Sequence, residues 1–171
     1  MRIVPVAPAG KRSEWAHVED TFHGPGWLRG AAPAGRHGWI AGPELAEAVA
    51  EAGGLGMLCM PMVPAAAFSD MLSGIRSGTN GRIEVTFPLP FLDIDCVPVA
   101  ARLAHVVEFS YGQPDPNLVR LAHSGGALVS WQVGSVGDAL AAAEAACDVV
   151  VAQGTRCTPR RSSAHTPLTR Y

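Results

Sequence analysis

Two hydrophobic rhythms alternate between residues 43 and 154. Over 43–52, Leu45, Ala48, Val49 and Ala52 fall on one face of a 3.6-residue period, Pro43 occupies the first helical position, and Gly53 and Gly54 can close the turn in a left-handed conformation. This predicts a helix. The apolar run 55–60 reads as a short buried strand. Phe68, Met71, Leu72 and Ile75 then recur at i, i+3, i+4 and i+7, predicting a second helix over 64–76 that 78–81 breaks. The alternation continues with strand 83–87, helix 95–104, strand 106–110, and helix 114–124 closing at Gly125 and Gly126. Strand 127–131 follows, then a helix over 135–146 opened by a capping box of Ser135 and Asp138, and strand 149–152.

The predicted strands begin at 55, 83, 106, 127 and 149, separations of 28, 23, 21 and 22 residues. Each separation is one strand, one helix and two turns. Parallel strands need a crossover of a dozen or more residues, nearly always right-handed, so units repeated in one sense build a doubly wound sheet or a (β/α)8 barrel. The barrel is the first choice. Complete barrels take about 250 residues and rarely fewer than 200. The 171 residues here therefore predict an α/β fold of the partial (β/α)8 TIM barrel kind, with five to six parallel strands, the sixth near 29–35. The flanks lack the pattern. Residues 1–42 carry Trp15, Trp27 and Trp39 without a sustained period, a poorly patterned N-terminal segment. Residues 155–171 hold four arginines and no carboxylate and read as a basic, disordered tail.

Composition narrows the partners. A chain that is 48% hydrophobic and 16% charged can bury a sizeable core, and a formal net charge of −2 creates no field that would draw nucleic acid or an anionic membrane. No apolar run has the length of a spanning helix and the N-terminus lacks a signal-peptide core, so the expected location is cytoplasmic. Cys59, Cys96, Cys147 and Cys157 are far apart and form no CxxC pair. They read as small buried hydrophobes, and no metal site is expected.

Parallel sheets bind ligands at the carboxyl ends of their strands. The residues there are Met60, Thr86 with Phe87, Ser110 with Tyr111, Trp131 with Gln132, and Gln153 with Gly154. Taken singly, each has a plain structural alternative: hydroxyls bond nearby backbone, and Tyr111 and Trp131 cap the core. Together they would suit a flat, polar heteroaromatic ligand. His105 at a strand start and His123 at a helix end read as structural or solvent-facing.

The run Pro43-Glu44-Leu45-Ala46-Glu47-Ala48-Val49-Ala50-Glu51-Ala52-Gly53-Gly54-Leu55-Gly56 resembles the PELA-x-AV-x-x-AGGLG signature of the nitronate monooxygenases, formerly 2-nitropropane dioxygenases. Three further matches follow in family order. They are Pro90-Phe91-Leu92-Asp93, then Val107-Glu108-Phe109 leading to Tyr111-Gly112-x-Pro114-Asp115-Pro116, and Val150-Val151-Ala152-Gln153-Gly154. The resemblance covers 43–154 and implies a (β/α)8 barrel holding FMN at its carboxyl face, oxidising alkyl nitronates with dioxygen. It also implies kinship with an FMN-dependent enoyl-acyl-carrier-protein reductase that uses a pyridine nucleotide. By the same resemblance Gln153, matched together with Gly154, contacts the flavin and Thr86 stands where the family has a flavin-contacting Asn; a flavin over the strand ends would also lie near Gln132. Ser110 occupies the catalytic position at which the family often carries a His that removes the substrate α-proton. A serine hydroxyl does not do that unaided.

Both ends leave the family pattern. After Gly154 the family continues with Ala-Gly-Gly-His and two further units that bind the FMN phosphate, whereas this chain reads Thr155-Arg156-Cys157-Thr158-Pro159-Arg160-Arg161. Near the other end the family's first-strand loop is matched only loosely by Ala32-Pro33-Ala34-Gly35. With 12 arginines to 1 lysine, as GC-rich coding sequence gives, both ends read as out of the ancestral frame. The expectation is an FMN-dependent oxidoreductase of the nitronate monooxygenase type. The alternatives are an enoyl-reductase-like protein or a non-catalytic remnant that self-associates through exposed sheet edges.

Overall fold

The computed structural model describes residues 42–59 and 63–153, together with the backbone of 2–5. Strand β1 (Arg2–Pro5) is followed by α1 (Pro43–Glu51), β2 (Leu55–Cys59), α2 (Ala65–Gly78), β3 (Arg82–Pro88) and α3 (Cys96–Leu103). Then come β4 (Val106–Ser110), α4 (Pro116–Ser124), β5 (Leu128–Val133), α5 (Val136–Glu144) and β6 (Val149–Ala152). The sheet order is β1-β6-β5-β4-β3-β2, so β2 to β6 lie side by side in chain order, all parallel. A single core cluster unites residues of all five helices with one face of the strands. The five described helices therefore lie on one side of the sheet, the arrangement of a barrel wall rather than of a doubly wound sheet.

Local chemistry explains where the elements begin and end. Pro43 opens α1, and Gly53 closes it at φ 86°. Helix α4 starts at Pro116, two residues inside the expected 114–124, because the Asp115 carboxylate caps the Asn117 amide at 2.8 Å. The Ser135 hydroxyl caps the Asp138 amide at 3.1 Å, as the capping box requires. Helix α5 stops at Glu144, short of the expected Ala146, which instead takes φ 65°. Gly56 of β2 is a packing requirement: a Cβ there would collide with the Ala46 carbonyl of α1.

Two expectations need correction. The N-terminal segment read as unpatterned contains β1, which pairs antiparallel with β6. The sheet thus has five parallel strands, and its sixth is antiparallel. Four residues are too few to show a period, and Pro5 suits an edge position, where its missing N–H costs little. The proposed strand near 29–35 and the tail 155–171 lie outside the described residues. Strand β5 is also displaced: it runs 128–133 rather than 127–131, which carries Gln132 into the sheet.

Register divides the sheet into two faces. Gly56 and Leu58 pair with Ile83 and Val85, and the rung of Val85 continues through Val107 to Val129. Phe87, Phe109 and Trp131 stand side by side one rung higher. On the helix side these rings form a row with Phe68 of α2, edge-on at 5.9 Å from Phe87. Phe109 lies 6.2 Å from Phe87 and 4.9 Å from Trp131 between ring centroids. Phe109 is fully buried at the centre of the row. Phe109→Ala is expected to lower stability by about 3–5 kcal/mol, measured as a shift in the denaturant midpoint.

Candidate functional site

The face opposite the helices is built differently. Its lower part is apolar, with Leu55, Met57 and Val106 packed together against Leu128. Higher up it turns polar. Thr86, Glu108 and Ser130 share one rung across β3, β4 and β5, and Glu84 lies on the same face two residues before Thr86. All four are buried, Glu108 completely. The Thr86 hydroxyl donates to Glu84 Oε1 and the Ser130 hydroxyl to Glu108 Oε2, both at 3.4 Å. Each bond gives one buried carboxyl oxygen a partner, which lowers the cost of burying it.

Above this floor lies a rim of hydroxyl and amide groups. Ser110 closes β4 opposite Pro88 and is buried, and Gln132 pairs with Val151 on β5. Gln153, one residue past β6, extends the ladder through its amide to the Val133 carbonyl at 3.0 Å. Alternation places Thr86, Ser110, Gln132 and Gln153 on this one face. The Gln153 Oε1 atom is buried and has no hydrogen-bond partner among the described residues. A buried amide oxygen in that state is poised for an N–H donor.

The structure therefore brings together Thr86, Ser110, Gln132 and Gln153, while Gly154 and Met60 lie outside the described residues. Phe87 and Trp131, read from sequence as lining candidates, belong instead to the aromatic row on the helix side. Trp131 also donates its indole N–H to the Gly112 carbonyl at 3.1 Å, so it anchors the loop after β4. Tyr111 in that loop is half exposed and holds φ 61°, a strained conformation for a non-glycine residue that costs about 1 kcal/mol or more.

Glu84 and Glu108 are the residues that motif reading passed over. Their signal was available in the alternation Ile83-Glu84-Val85-Thr86-Phe87 and Val107-Glu108-Phe109-Ser110, where apolar and polar positions share each strand although both of its faces are buried. Among the described residues no three His, Cys, Asp or Glu side chains gather as a metal site would need. No helix among them is long and apolar enough to cross a membrane.

The two histidines among the described residues, His105 and His123, serve the scaffold. His105 Nδ1 accepts the Ile83 amide at 3.2 Å, and His123 Nε2 meets Asp148 Oδ2 at 2.8 Å. Burial, aided by the nearby Arg76 and Arg82, pushes the His105 pKa below its ordinary 6.5. Buried Cys147 is driven the other way, to about 12, by desolvation and then by the Asp148 charge, and burial likewise raises the Cys96 thiol.

Solved structures share this architecture. FabK from Thermotoga maritima aligns at 31% identity and TM-score 0.60 over 67% of this chain and 37% of its own. A nitroalkane oxidase from Streptomyces ansochromogenes aligns at 23% identity and TM-score 0.62 over 73% of this chain and 45% of its own, a likeness of fold. The chain thus spans less than half the length of either protein. No family model and no curated protein matches it.

Two outcomes follow from the titrating groups. The unfolded chain protonates His105 near pH 6.5 while the folded chain resists, so this residue lowers stability progressively as pH falls below that value. In denaturant titrations, the stability deficit of His105→Gln relative to the parent is expected to shrink between pH 7.5 and 5. With Cys59 and Cys157 replaced by serine, the remaining Cys96 and Cys147 are expected to ignore a thiol reagent at pH 8 until the protein unfolds.

Proposed function

Because the chain belongs through its β/α repeats to the nitronate monooxygenase (2-nitropropane dioxygenase) family, we propose that it is an FMN-dependent oxidoreductase that oxidises alkyl nitronates with dioxygen. The observation that carries this reading is the buried Oε1 of Gln153, without a hydrogen-bond partner among the described residues, on the same sheet face as Thr86, Ser110 and Gln132. FMN offers a flat ring edged with amide-like donors and acceptors, and this rim presents the complementary groups. When bound, FMN supplies the electron transfer that no side chain in the sheet provides.

The residues take distinct parts. Gln153 offers its amide to the ring edge, and the partly buried Gln132 offers a second amide one strand away. Thr86 has its proton engaged with Glu84, so its hydroxyl can only accept from a ligand. Ser110 donates or accepts beside them. An alkyl nitronate has already lost its α-proton, so Ser110 has only to hydrogen-bond its nitro oxygens. A neutral nitroalkane would need a base that a serine hydroxyl is not. The carboxyl groups of Glu84 and Glu108 occupy the floor of the site, where a phosphate would meet acceptor oxygens rather than the donors it needs, so we place the phosphate outside this polar face.

The likeness to FabK, an enoyl-acyl-carrier-protein reductase of the same family, favours a second reading in which a pyridine nucleotide feeds the flavin and an enoyl thioester is reduced. The electron source separates the two. The purified chain is expected to take up FMN with quenched flavin fluorescence and to consume oxygen with an alkyl nitronate but not with the neutral nitroalkane. NADH- or NADPH-dependent enoyl reduction would establish the second reading. Gln153→Ala is expected to weaken FMN binding about tenfold, the worth of one buried hydrogen bond, with little loss of thermal stability. A colourless protein that takes up no added FMN would overturn both readings in favour of a non-catalytic remnant.

A further inference from the structure

Tyr111 follows the buried Ser110 at the end of β4, and its φ of 61° lies in the left-handed region that residues with side chains avoid. Three contacts fix the loop that holds it. The Gly112 carbonyl accepts the Trp131 indole N–H, and the Leu89 side chain fills the space that a Gly112 side chain would need. Gln113 donates to Asp138 at the start of α5 at 2.8 Å. A glycine at position 111 would adopt this backbone without strain.

Burial does not offset the strain, since half of the tyrosine surface is in solvent. Phe91 and Ile94, in the neighbouring loop between β3 and α3, are similarly open, at 50% and 56% exposure. An aromatic ring kept where glycine would be easier, half exposed and one residue past Ser110 of the polar rim, is of more use to a ligand than to the fold.

We propose that Tyr111 is a binding wall of the site, its ring stacking on a planar heteroaromatic ring held at the rim by Gln132 and Gln153. This rests on the flavin reading above. Stacking is the assigned interaction, so the phenol oxygen is dispensable and the ring is not. The left-handed backbone sets the direction in which the side chain leaves the loop, which limits the ordering that binding must supply.

The experiment uses FMN as probe, with the full chain and its Tyr111→Gly and Tyr111→Phe variants compared in flavin fluorescence titrations and thermal melts. Tyr111→Gly is expected to melt about 3 °C higher, because strain is released, and to bind FMN at least about tenfold more weakly, as loss of a base-stacking aromatic does. Tyr111→Phe is expected to keep the parent affinity within about twofold. Opposite signs for stability and affinity are what a purely structural tyrosine would not give. Unchanged affinity in Tyr111→Gly, a lower melting temperature in that variant, or equal loss of affinity in Tyr111→Phe would each overturn the proposal while leaving the flavin reading in place. If the parent chain itself takes up no FMN, the flavin reading falls, and this proposal with it.

Discussion

Parallel pairing in strict register is the constraint on which the molecule turns. From β2 to β6 every rung aligns residues of the same facing, so one slip of a single position would exchange the apolar and polar sides of a whole strand. The penalty for that exchange is severe on both sides. Phe87, Phe109 and Trp131 would lose the helix-side packing that buries them, and Glu84 and Glu108 would enter an apolar interface without hydrogen-bond partners. The aromatic row and the acidic floor therefore hold the same register from opposite faces.

The two faces also communicate at the rim. Trp131 belongs to the core by its ring and to the loop after β4 by its indole N–H. A residue buried for stability thereby sets the position of the segment that carries Tyr111. The polar side of the sheet is thus organised from the helix side, with packing as the rigid reference and the rim as the part it aims.

Much of this was legible in the chain. The five described helices and the five parallel strands follow from period, proline and glycine placement, since each βα unit is long enough to show its rhythm. Boundaries moved where capping decided them, as at Asp115, or where a strand ran past its apolar run, as in β5. Strand β1 was not legible, because its place depends on the β6 edge rather than on its own four residues. In the site, grouping Thr86, Ser110, Gln132 and Gln153 needed only the rule that ligands meet strand ends. Excluding Phe87 and Trp131 needed the facing of each strand, which register supplies. The buried glutamates were visible as polar positions between apolar ones but were absorbed into motif matches.

Asp148 shows how the repeats are joined. Its Oδ2 receives the Val129 amide of β5 at 2.7 Å and also meets His123 at the end of α4, while its own amide bonds the Val129 carbonyl. One carboxylate thereby ties the last turn of one unit to the first residues of the next two. Fraying at the foot of α4 cannot proceed without loosening the start of β5 and β6, so this end of the wall opens as one cooperative block, and its amides should exchange with solvent deuterium together.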